Sequence, residues 1–548
     1  MTHYTAHQDT FARDRLPPRA QWPKLLFDLP ELQYEGRLNC ARSLLDDGLE
    51  EGHGSRIAVY SDNAIWTWTE LRDRTDRIAN VLVRDLGVVP GNRVLLRGAN
   101  SPMFIAAWLA VMKTGAIAVA SMPLLRAKEL GGMANKAYIN HVLCDARFVD
   151  EVRQASAATD RFKHIVTFGD GQLEAMMARQ PDSFTSVDTA CDDVCMIAFT
   201  SGTTGTAKAT MHFHRDVLAM ADIVARHLLH TQSDDIYIGS PPLGFTFGLG
   251  ALLVFPLRYR AATVMLEQPT TQNLLSAAER LRATCLFTAP TMYRGLLPIV
   301  GNYDLSSLRR CVSAGEPLPR STSDSWYEAT GIRLIDGIGS TEMIHIFIGA
   351  AGDDIRLGAT GRALPGYEAC VLDDENRPLP RGSIGRLAVR GPTGCRYLDD
   401  PRQTESVING WNMTGDLYSV DEDGYFWFQG RADDMIISSG YNISGPEVEN
   451  ALLAHPAVRE CAVIGAPDAD RGKLVKAFVV PHEHQAARAA DLIKELQDFV
   501  KATIAPYKYP RVIELVESLP KTLTGKIRRS ALRQRELEQI QRSDGLVG

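Results

Sequence analysis

The sequence predicts an α/β protein with a large N-terminal part of parallel α/β subdomains, a small β-rich subdomain and a small C-terminal α+β domain. Up to about residue 330, short apolar runs typical of buried strands alternate with helical segments of about ten to fifteen residues, the pattern of a parallel sheet. Residues 355 to 430 contain more turns and short strands, such as Glu368–Leu372. After Arg431–Asp434, short strands and helices alternate in a compact unit that closes with a polar helix.

The first elements follow from the apolar pattern. Arg56–Tyr60 and Gly91–Leu96 are predicted strands. Trp66–Leu71 is predicted to be a strand that leads through Thr69 into a helix, and this helix ends at Gly87. The most apolar stretch, residues 104 to 125, is interrupted by a lysine, a glycine and a proline. It therefore predicts a core helix followed by a strand and not a membrane span.

Composition restricts the function classes. The chain has 548 residues, of which 45% are hydrophobic and 23% charged, as in a globular protein with a large core. A formal charge of −7 and the lack of a long basic run argue against nucleic-acid binding. The nine cysteines are scattered without zinc-type spacing, and the N-terminus lacks the basic start and apolar core of a signal peptide. We expect reduced thiols and a cytoplasmic protein.

A loop rich in glycine and hydroxyl groups, Thr200–Lys208, is the most informative segment. It follows the apolar run Cys195–Thr200, and helical spacing of apolar residues between His212 and Leu229 predicts a strand, a loop and a helix. Such a loop can surround a polyphosphate with N–H and O–H donors, and its lysine adds a positive charge. It is not a Walker A loop, because Gly-Lys-Ser/Thr does not occur in it.

Four further segments carry residues suited to nucleotide chemistry. Asp336–Glu342 is glycine-rich and follows apolar residues, and its Thr341 and Glu342 offer the oxygen ligands that Mg²⁺ prefers. Asp416 suits a ribose, because one carboxylate can accept hydrogen bonds from both hydroxyls of a cis-diol. The other two segments are the proline-rich turn Ser313–Pro319 and the basic loop Pro520–Lys526. Each segment alone is also compatible with an ordinary turn or a solvated loop.

Together these segments, in this order, resemble the adenylate-forming superfamily of acyl-CoA synthetases, aryl-CoA ligases, luciferases and peptide-synthetase adenylation domains. The resemblance covers essentially the whole chain. Ala207 replaces a usual proline, and Ile338 replaces a tyrosine that in many members stacks on adenine. The ATP-binding residues that the resemblance implies are Thr200, Ser201, Gly202, Thr203, Thr204, Gly205, Lys208, Gly315, Glu316, Gly337, Ile338, Gly339, Ser340, Asp416 and Arg431.

The resemblance also implies a mechanism with ATP, Mg²⁺ and CoA. A carboxylate attacks the α-phosphorus of ATP, and a thiol then displaces AMP from the acyl-adenylate. Lys526, Glu342 and Thr341 are the expected catalytic residues, with Glu342 and Thr341 also at the metal. Asp433 is the expected hinge between an N-terminal domain, residues 1–432, and a mobile C-terminal domain, residues 433–548. Ser439, Gly440 and Tyr441 are expected at the CoA tunnel.

The acid is expected to be aromatic. Apolar and aromatic walls with few polar groups suit a flat aryl acid, and the expected acid-binding residues are Phe245, Thr246, Phe247, Ala289, Ile338, Gly339 and His345. Thr246 stands where peptide synthetases have an aspartate for an α-amino group, so an amino acid is not expected. Residues 336–346 look most like benzoate- and 2-aminobenzoate-CoA ligases, and residues 9–39 like the 2-aminobenzoate branch.

Several alternatives stay open at this point. The acid is predicted to be 2-aminobenzoate, with His345 or Thr246 accepting its ortho N–H, but benzoate and salicylate remain alternatives. The acceptor is CoA or a separate carrier protein. A nucleotide-binding regulator without catalysis is disfavoured, because both Lys526 and Glu342 are present. A homodimer is an open alternative, and no membrane or nucleic-acid partner is expected.

Overall fold

The computed structural model describes residues 4–200, 207–432, 434–438, 441–468, 472–482, 489–522 and 525–544. Its strands are β1 (Ile57–Ser61), β2 (Ile65–Thr67), β3 (Arg93–Arg97), β4 (Ile117–Ser121), β5 (His141–Asp145), β6 (His164–Phe168), β7 (Val194–Thr200), β8 (Lys208–Phe213), β9 (Ile236–Gly239), β10 (Ala262–Met265), β11 (Cys285–Thr288), β12 (Arg310–Ala314), β13 (Leu334–Gly339), β14 (Ile346–Gly349), β15 (Arg362–Ala363), β16 (Glu368–Leu372), β17 (Ile384–Arg390), β18 (Val407–Ile408), β19 (Trp411–Val420), β20 (Phe426–Arg431), β21 (Ile436–Ser438), β22 (Tyr441–Ile443), β23 (Val458–Asp468), β24 (Gly472–Pro481) and β25 (Val512–Leu515).

The α-helices between and around these strands are α1 (Asp47–Glu50), α2 (Trp68–Asn80), α3 (Pro102–Lys113), α4 (Ala127–Ala137), α5 (Val149–Ala158), α6 (Gln172–Met177), α7 (His214–Met220), α8 (Thr246–Leu249), α9 (Phe255–Arg258), α10 (Thr271–Arg280), α11 (Pro290–Leu296), α12 (Arg320–Thr330), α13 (Gln403–Ser406), α14 (Gly445–Leu453), α15 (Ala489–Thr503) and α16 (Arg529–Asp544). Several are continued by π-helical turns, at Arg42–Asp46, Val81–Asp85, Ala221–Leu228 and Gly250–Val254.

Two mostly parallel sheets confirm the predicted α/β architecture. One has nine strands in the order β15-β14-β13-β12-β11-β9-β10-β1-β2, and the other has six in the order β6-β5-β3-β4-β7-β8. The inner strands pair in parallel, whereas β2, β14, β15 and β8 pair antiparallel at the edges. Parallel pairing aligns the carboxyl ends of neighbouring strands, where open α/β sheets bind their ligands.

The later part of the chain also forms the predicted smaller units. Strands β16 to β20 make an antiparallel five-stranded sheet, in which β16 matches the predicted Glu368–Leu372. Beyond residue 433, β23, β24 and β25 form a three-stranded sheet with its own apolar core against α14 and α15. Within the described ranges no helix is both long and apolar enough to cross a membrane.

The stretch from residue 104 to 125 folds as the sequence predicts. Helix α3 is buried along its length, and β4 follows it in the parallel sheet. The N-terminus of α2, however, differs from the prediction. Thr67, and not Thr69, is the N-cap, because its hydroxyl accepts the Glu70 N–H at 3.2 Å while the Glu70 carboxylate accepts the Thr67 N–H at 2.9 Å.

The predicted strand and helix on either side of Thr200–Lys208 are present as β7 and α7, but a further strand, β8, lies between the loop and the helix. Strand β8 begins at Lys208 and pairs antiparallel with β7, with Thr200 opposite Lys208. Helix α7 begins only at His214. The physical reason lies outside the segment, because residues 396–398 pair with the other edge of β8 and provide a second partner strand.

The capping box of α2 yields a stability prediction. Thr67→Ala should lower the free energy of unfolding by about 1 kcal/mol, since it leaves an N–H of the first turn without an acceptor. Thr69→Ala, on the same turn, is the control and should change it less. Hydrogen exchange at residues 68–71 measures the local effect. Equal protection in both variants would contradict Thr67 as the cap.

Candidate active site

The hairpin of β7 and β8 carries the predicted phosphate loop. Thr200 ends β7 and Lys208 begins β8, and both are half-buried. Ser201, Gly202, Thr203, Thr204 and Gly205 lie outside the described residues. The Lys208 ammonium donates to the hydroxyl of Tyr397 at 3.2 Å and lies 4.9 Å from the centre of its ring. The base of the loop is therefore tied to a residue far away in the sequence.

A tight turn after β13 carries the second predicted motif. Gly337, Ile338 and Gly339 lie inside β13, and Ser340, Thr341 and Glu342 form the turn into β14. Strand β13 thus extends into the glycine-rich motif. A Cβ atom on Gly339 would lie 2.6 Å from the His345 carbonyl oxygen, so this position requires glycine. Ile344 closes the turn with φ +66°, a costly conformation for a β-branched residue.

Two residues that sequence reasoning missed hold this turn. His212 Nε2 donates to the Thr341 carbonyl oxygen at 2.9 Å, and the Tyr397 hydroxyl donates to Glu342 Oε1 at 2.6 Å. Both bonds join positions more than 50 residues apart, so no local pattern reveals them. The apolar and polar alternation of residues 208–213 was the available signal for a strand that would place His212 and Lys208 on one face.

The donor set at the turn fits a magnesium ion. Glu342 is half-buried, and Thr341 adds a neighbouring oxygen. Mg²⁺ prefers such hard oxygen ligands together with phosphate oxygens and water. A different group of potential ligands, buried Cys40, Cys195 and His214, offers two sulfurs and one nitrogen within 4.8 Å of one another in the described part of the chain. That donor set does not suit Mg²⁺.

Three other predicted residues, Gly315, Glu316 and Asp416, lie near Lys526. Gly315, with φ +91°, begins the strand-to-helix turn after β12, and a Cβ atom on it would lie 3.9 Å from Lys526 Cε. The adjacent Glu316 accepts from the Thr291 hydroxyl at 2.7 Å. Partial desolvation lowers the pKa of Lys526 from its ordinary value, while the carboxylates of Glu316 and Asp416 act in the opposite direction. Its side chain retains access to solvent.

Asp416 and Arg431 lie on neighbouring strands close to Lys526. They face each other in the β19–β20 pair, and Arg431 Nη1 donates to Asp416 Oδ1 at 3.0 Å and to the Thr414 carbonyl oxygen at 3.1 Å. The guanidinium lies against Gly415, where a Cβ atom would be 2.8 Å from Nη2. The Asp416 carboxylate is therefore oriented by an ion pair with the exposed guanidinium of Arg431.

Two of the predicted acid-binding residues, Phe247 and His345, form an aromatic wall. The ring of His345 lies 5.7 Å from that of Phe247, and its Nε2 lies 3.3 Å from the Phe247 carbonyl oxygen. Because a carbonyl only accepts, Nε2 carries the proton, and Nδ1 is a buried acceptor with no partner in the described structure. Thr246 is buried, whereas Phe245, Ala289 and Ile338 are partly accessible and Gly339 is exposed.

The predicted hinge and tunnel residues are only partly described. Asp433, Ser439 and Gly440 lie outside the described residues, and Tyr441 begins strand β22. Asp434, directly after the predicted hinge, forms an ion pair with Arg533 of α16. Residue 434 is thus attached to the C-terminal part, which also contacts the large domain where α14 packs on β20 and α12.

Comparison with known proteins gives the site a context. A family profile described as AMP-binding enzyme matches residues 49–396, and one described as AMP-binding enzyme C-terminal domain matches residues 447–526. A benzoate–CoA ligase of Thauera aromatica is 34% identical over 92% of this chain and 97% of its own.

Solved structures agree with this match. The anthranilate CoA ligase AuaEII in complex with anthranoyl-AMP has a TM-score of 0.89 and 34% identity, covering 93% of this chain and 99% of that one. A benzoate CoA ligase from Burkholderia xenovorans LB400 has a TM-score of 0.83 and 31% identity, covering 90% and 100%.

Burial of His345 gives a pH-dependent stability. Desolvation lowers the pKa of His345 from 6.5 to about 3. Below pH 6.5, His345 is protonated in the unfolded chain but stays neutral in the folded chain. The free energy of unfolding therefore decreases as the pH falls towards 3. Relative to His345→Leu, the protein should lose about 1.4 kcal/mol of unfolding free energy between pH 7.5 and 5.5. The free energy of unfolding is measured by urea unfolding at each pH for the parent protein and for His345→Leu. If the two proteins show the same pH dependence, His345 is not a buried neutral histidine.

Proposed function

Because the chain belongs to the AMP-binding enzyme family and is an AMP-forming acid–thiol ligase, we propose that it joins an aromatic carboxylic acid, 2-aminobenzoate, to CoA. Acyl- or aryl-CoA ligation with ATP and CoA is the activity of this group of enzymes. The proposal adds the aromatic acid, the residues that act and the movement between the two steps.

The position of Lys526 is the observation that carries the proposed roles. An ammonium from the C-terminal part lies against the Gly315 turn, within electrostatic reach of Glu316 and Asp416. In the first step the acid's carboxylate attacks the α-phosphorus of ATP and pyrophosphate leaves. Negative charge grows on crowded oxygens, and a fixed ammonium at that point stabilises the transition state more than the bound substrates.

The other residues orient the nucleotide. Asp416, held by Arg431, accepts from both ribose hydroxyls, while the Gly315 and Gly337–Gly339 backbones line the adenine. Thr200, Lys208 and the loop between them donate to the phosphates. Glu342 and Thr341 would hold Mg²⁺, which supplies positive charge to the phosphate oxygens. Preorganised donors and fixed geometry then account for the rate of the first step, because the protein forms no covalent bond with the acid.

His345 supports the choice of 2-aminobenzoate. Its Nδ1 is a buried acceptor without a partner among the described residues, which is costly unless a ligand donates to it. An ortho N–H of a flat aryl acid against the Phe247 wall is such a donor. The matches to an anthranilate CoA ligase and to benzoate CoA ligases favour aryl acids of this size. Benzoate and salicylate are the alternative acids, and a carrier-protein thiol is the alternative acceptor.

We also propose two domains, residues 1–432 and 433–548, that turn about Asp433 between the steps. In the second step the thiol attacks the adenylate carbonyl and AMP leaves. Lys526 must withdraw so that the Ser439–Tyr441 segment can form the CoA tunnel. The ion pair of Asp434 with Arg533 supports a boundary at this point, because it attaches residue 434 to the C-terminal helix. A cytoplasmic location and a homodimer remain predictions.

Lys526→Ala tests the catalytic assignment. Adenylate formation, measured as ATP–pyrophosphate exchange, should fall by about 10²-fold or more, because the charge on the transition state loses its fixed cation. Thioester formation from preformed aroyl-adenylate should be retained. Lys521→Ala is the control, since Lys521 lies in the same loop but pairs with Glu460 at 2.7 Å. Equal loss of both half-reactions in Lys526→Ala would contradict the assignment.

A panel of acids tests the substrate. With CoA present, AMP formation should be fastest with 2-aminobenzoate, slower with benzoate and salicylate, and slowest with medium-chain acids. His345→Leu should lower kcat/KM for 2-aminobenzoate about tenfold more than for benzoate, since only the former loses a hydrogen bond. A preference for benzoate in the parent enzyme would replace the proposed acid, and absence of AMP with every aryl acid would reject the aryl-acid proposal.

A further inference from the structure

The hydroxyl of Tyr397 lies between two opposite charges of the proposed site. It accepts a hydrogen bond from Lys208 Nζ at 3.2 Å and donates its own proton to Glu342 Oε1 at 2.6 Å. Ser406 Oγ approaches the same oxygen at 3.5 Å. Within the described residues, Lys208 and Glu342 form no direct ion pair, although one phenol oxygen touches both.

The backbone around Tyr397 is rigidly held. Thr210 of β8 bridges to Tyr397, and the Leu398 N–H donates to the Ala209 carbonyl oxygen at 2.8 Å. The Tyr397 N–H donates to Gln403 Oε1 at 2.9 Å, and Gln403 is itself buried. Tyr397 is 1% exposed. Its hydroxyl therefore has one available position, and the two charges that contact it are positioned by it.

The phenol oxygen uses both of its hydrogen-bonding capacities at this position. Its O–H donates to the Glu342 carboxylate, and one of its lone pairs accepts from the Lys208 ammonium. A single hydroxyl therefore serves as the hydrogen-bond partner of both ions. A neutral spacer of this kind lets both ions remain charged without joining them.

We propose that Tyr397 is a positioning residue that keeps Lys208 and Glu342 apart, so that the lysine is free for the phosphates of ATP and the glutamate for the cation. The inference rests on the proposed roles of these two residues. The lysine side chain is long and flexible, and without the hydroxyl its ammonium can close directly on the carboxylate. Such an ion pair competes with the nucleotide for one partner and with the cation for the other.

Tyr397→Phe tests this inference because it removes one oxygen and keeps the ring and the cation–π contact with Lys208. Calorimetric titration with ATP in EDTA measures ATP binding without a divalent cation, so the contribution of Lys208 is seen without that of the cation at Glu342. The Kd for ATP should rise about tenfold, as expected for a hydrogen bond to a charged group. With Mg²⁺, the KM for ATP and the Mg²⁺ concentration for half-maximal rate should rise, whereas the thioester step from preformed adenylate should not change.

Tyr237→Phe is the matched control. Tyr237 is buried, and its hydroxyl bonds to that of Thr231 at 2.5 Å, so its loss removes a buried hydrogen bond elsewhere in the fold. Its ATP Kd should equal that of the parent. Equal melting temperatures of the two variants exclude a general loss of structure in Tyr397→Phe.

A double-mutant cycle identifies the partner. Lys208→Met should itself weaken ATP binding in EDTA, and adding Tyr397→Phe to it should weaken binding no further, because both act through one ammonium. Unchanged or tighter ATP binding in Tyr397→Phe, or fully additive losses, would overturn the inference. A parent enzyme that binds ATP without forming AMP would instead reject the proposed function, while the EDTA titrations would still test Tyr397.

Discussion

The pairing of β8 with residues 396–398 is the constraint on which the proposed site depends. The Met211 N–H donates to the Arg396 carbonyl oxygen, and the Leu398 N–H donates to that of Ala209, both at 2.8 Å. Strand β8 thereby lies between β7 and a segment that arrives from the β-rich subdomain. In a strand, alternate residues share a face. Lys208 and His212 therefore point the same way, and they reach Glu342, through Tyr397, and Thr341 on the opposing turn.

A buried ion pair makes this register specific. Arg396 and Asp216 are both fully buried and bonded to each other, and Arg396 also lies 4.1 Å above the Phe213 ring. Although burial acts to raise it, Arg396 and His212 hold the pKa of Asp216 below its ordinary value. A buried pair adds little net stability, but a partner left alone is costly. A shift of β8 by one residue would separate the pair and replace Lys208 and His212 with apolar side chains.

Features of the structure that depend on local sequence patterns or on motifs could be predicted from the sequence. The alternation of strands and helices predicted the parallel sheets, and the motifs predicted the segments that meet at Lys526 and Glu342. The patterns failed where a partner distant in sequence determines the secondary structure. Strand β8 is the example, because its second neighbouring segment is about 190 residues away. The patterns also could not reveal Tyr397, since an aromatic residue after a strand is ordinary. Thr67 and Thr69 are the same residue type and are equally suitable as the N-cap of α2. Only the backbone conformation in the structure shows which of them is the cap.

The two halves of the proposed site differ in what determines them. The acid wall consists of Phe247, His345 and their neighbours, which pack as core residues. The neutral ring of His345 packs against Phe255 and lies close to Gly250, where a side chain would meet it. The nucleotide side consists of charged groups from five segments, and hydrogen bonds hold the side chains of Lys208, Glu342, Glu316 and Asp416. Single substitutions in the wall change which acid fits while the charges stay in place. Substitutions among the charged groups change the geometry of the reaction for every acid, because these groups act on the nucleotide and not on the aryl ring.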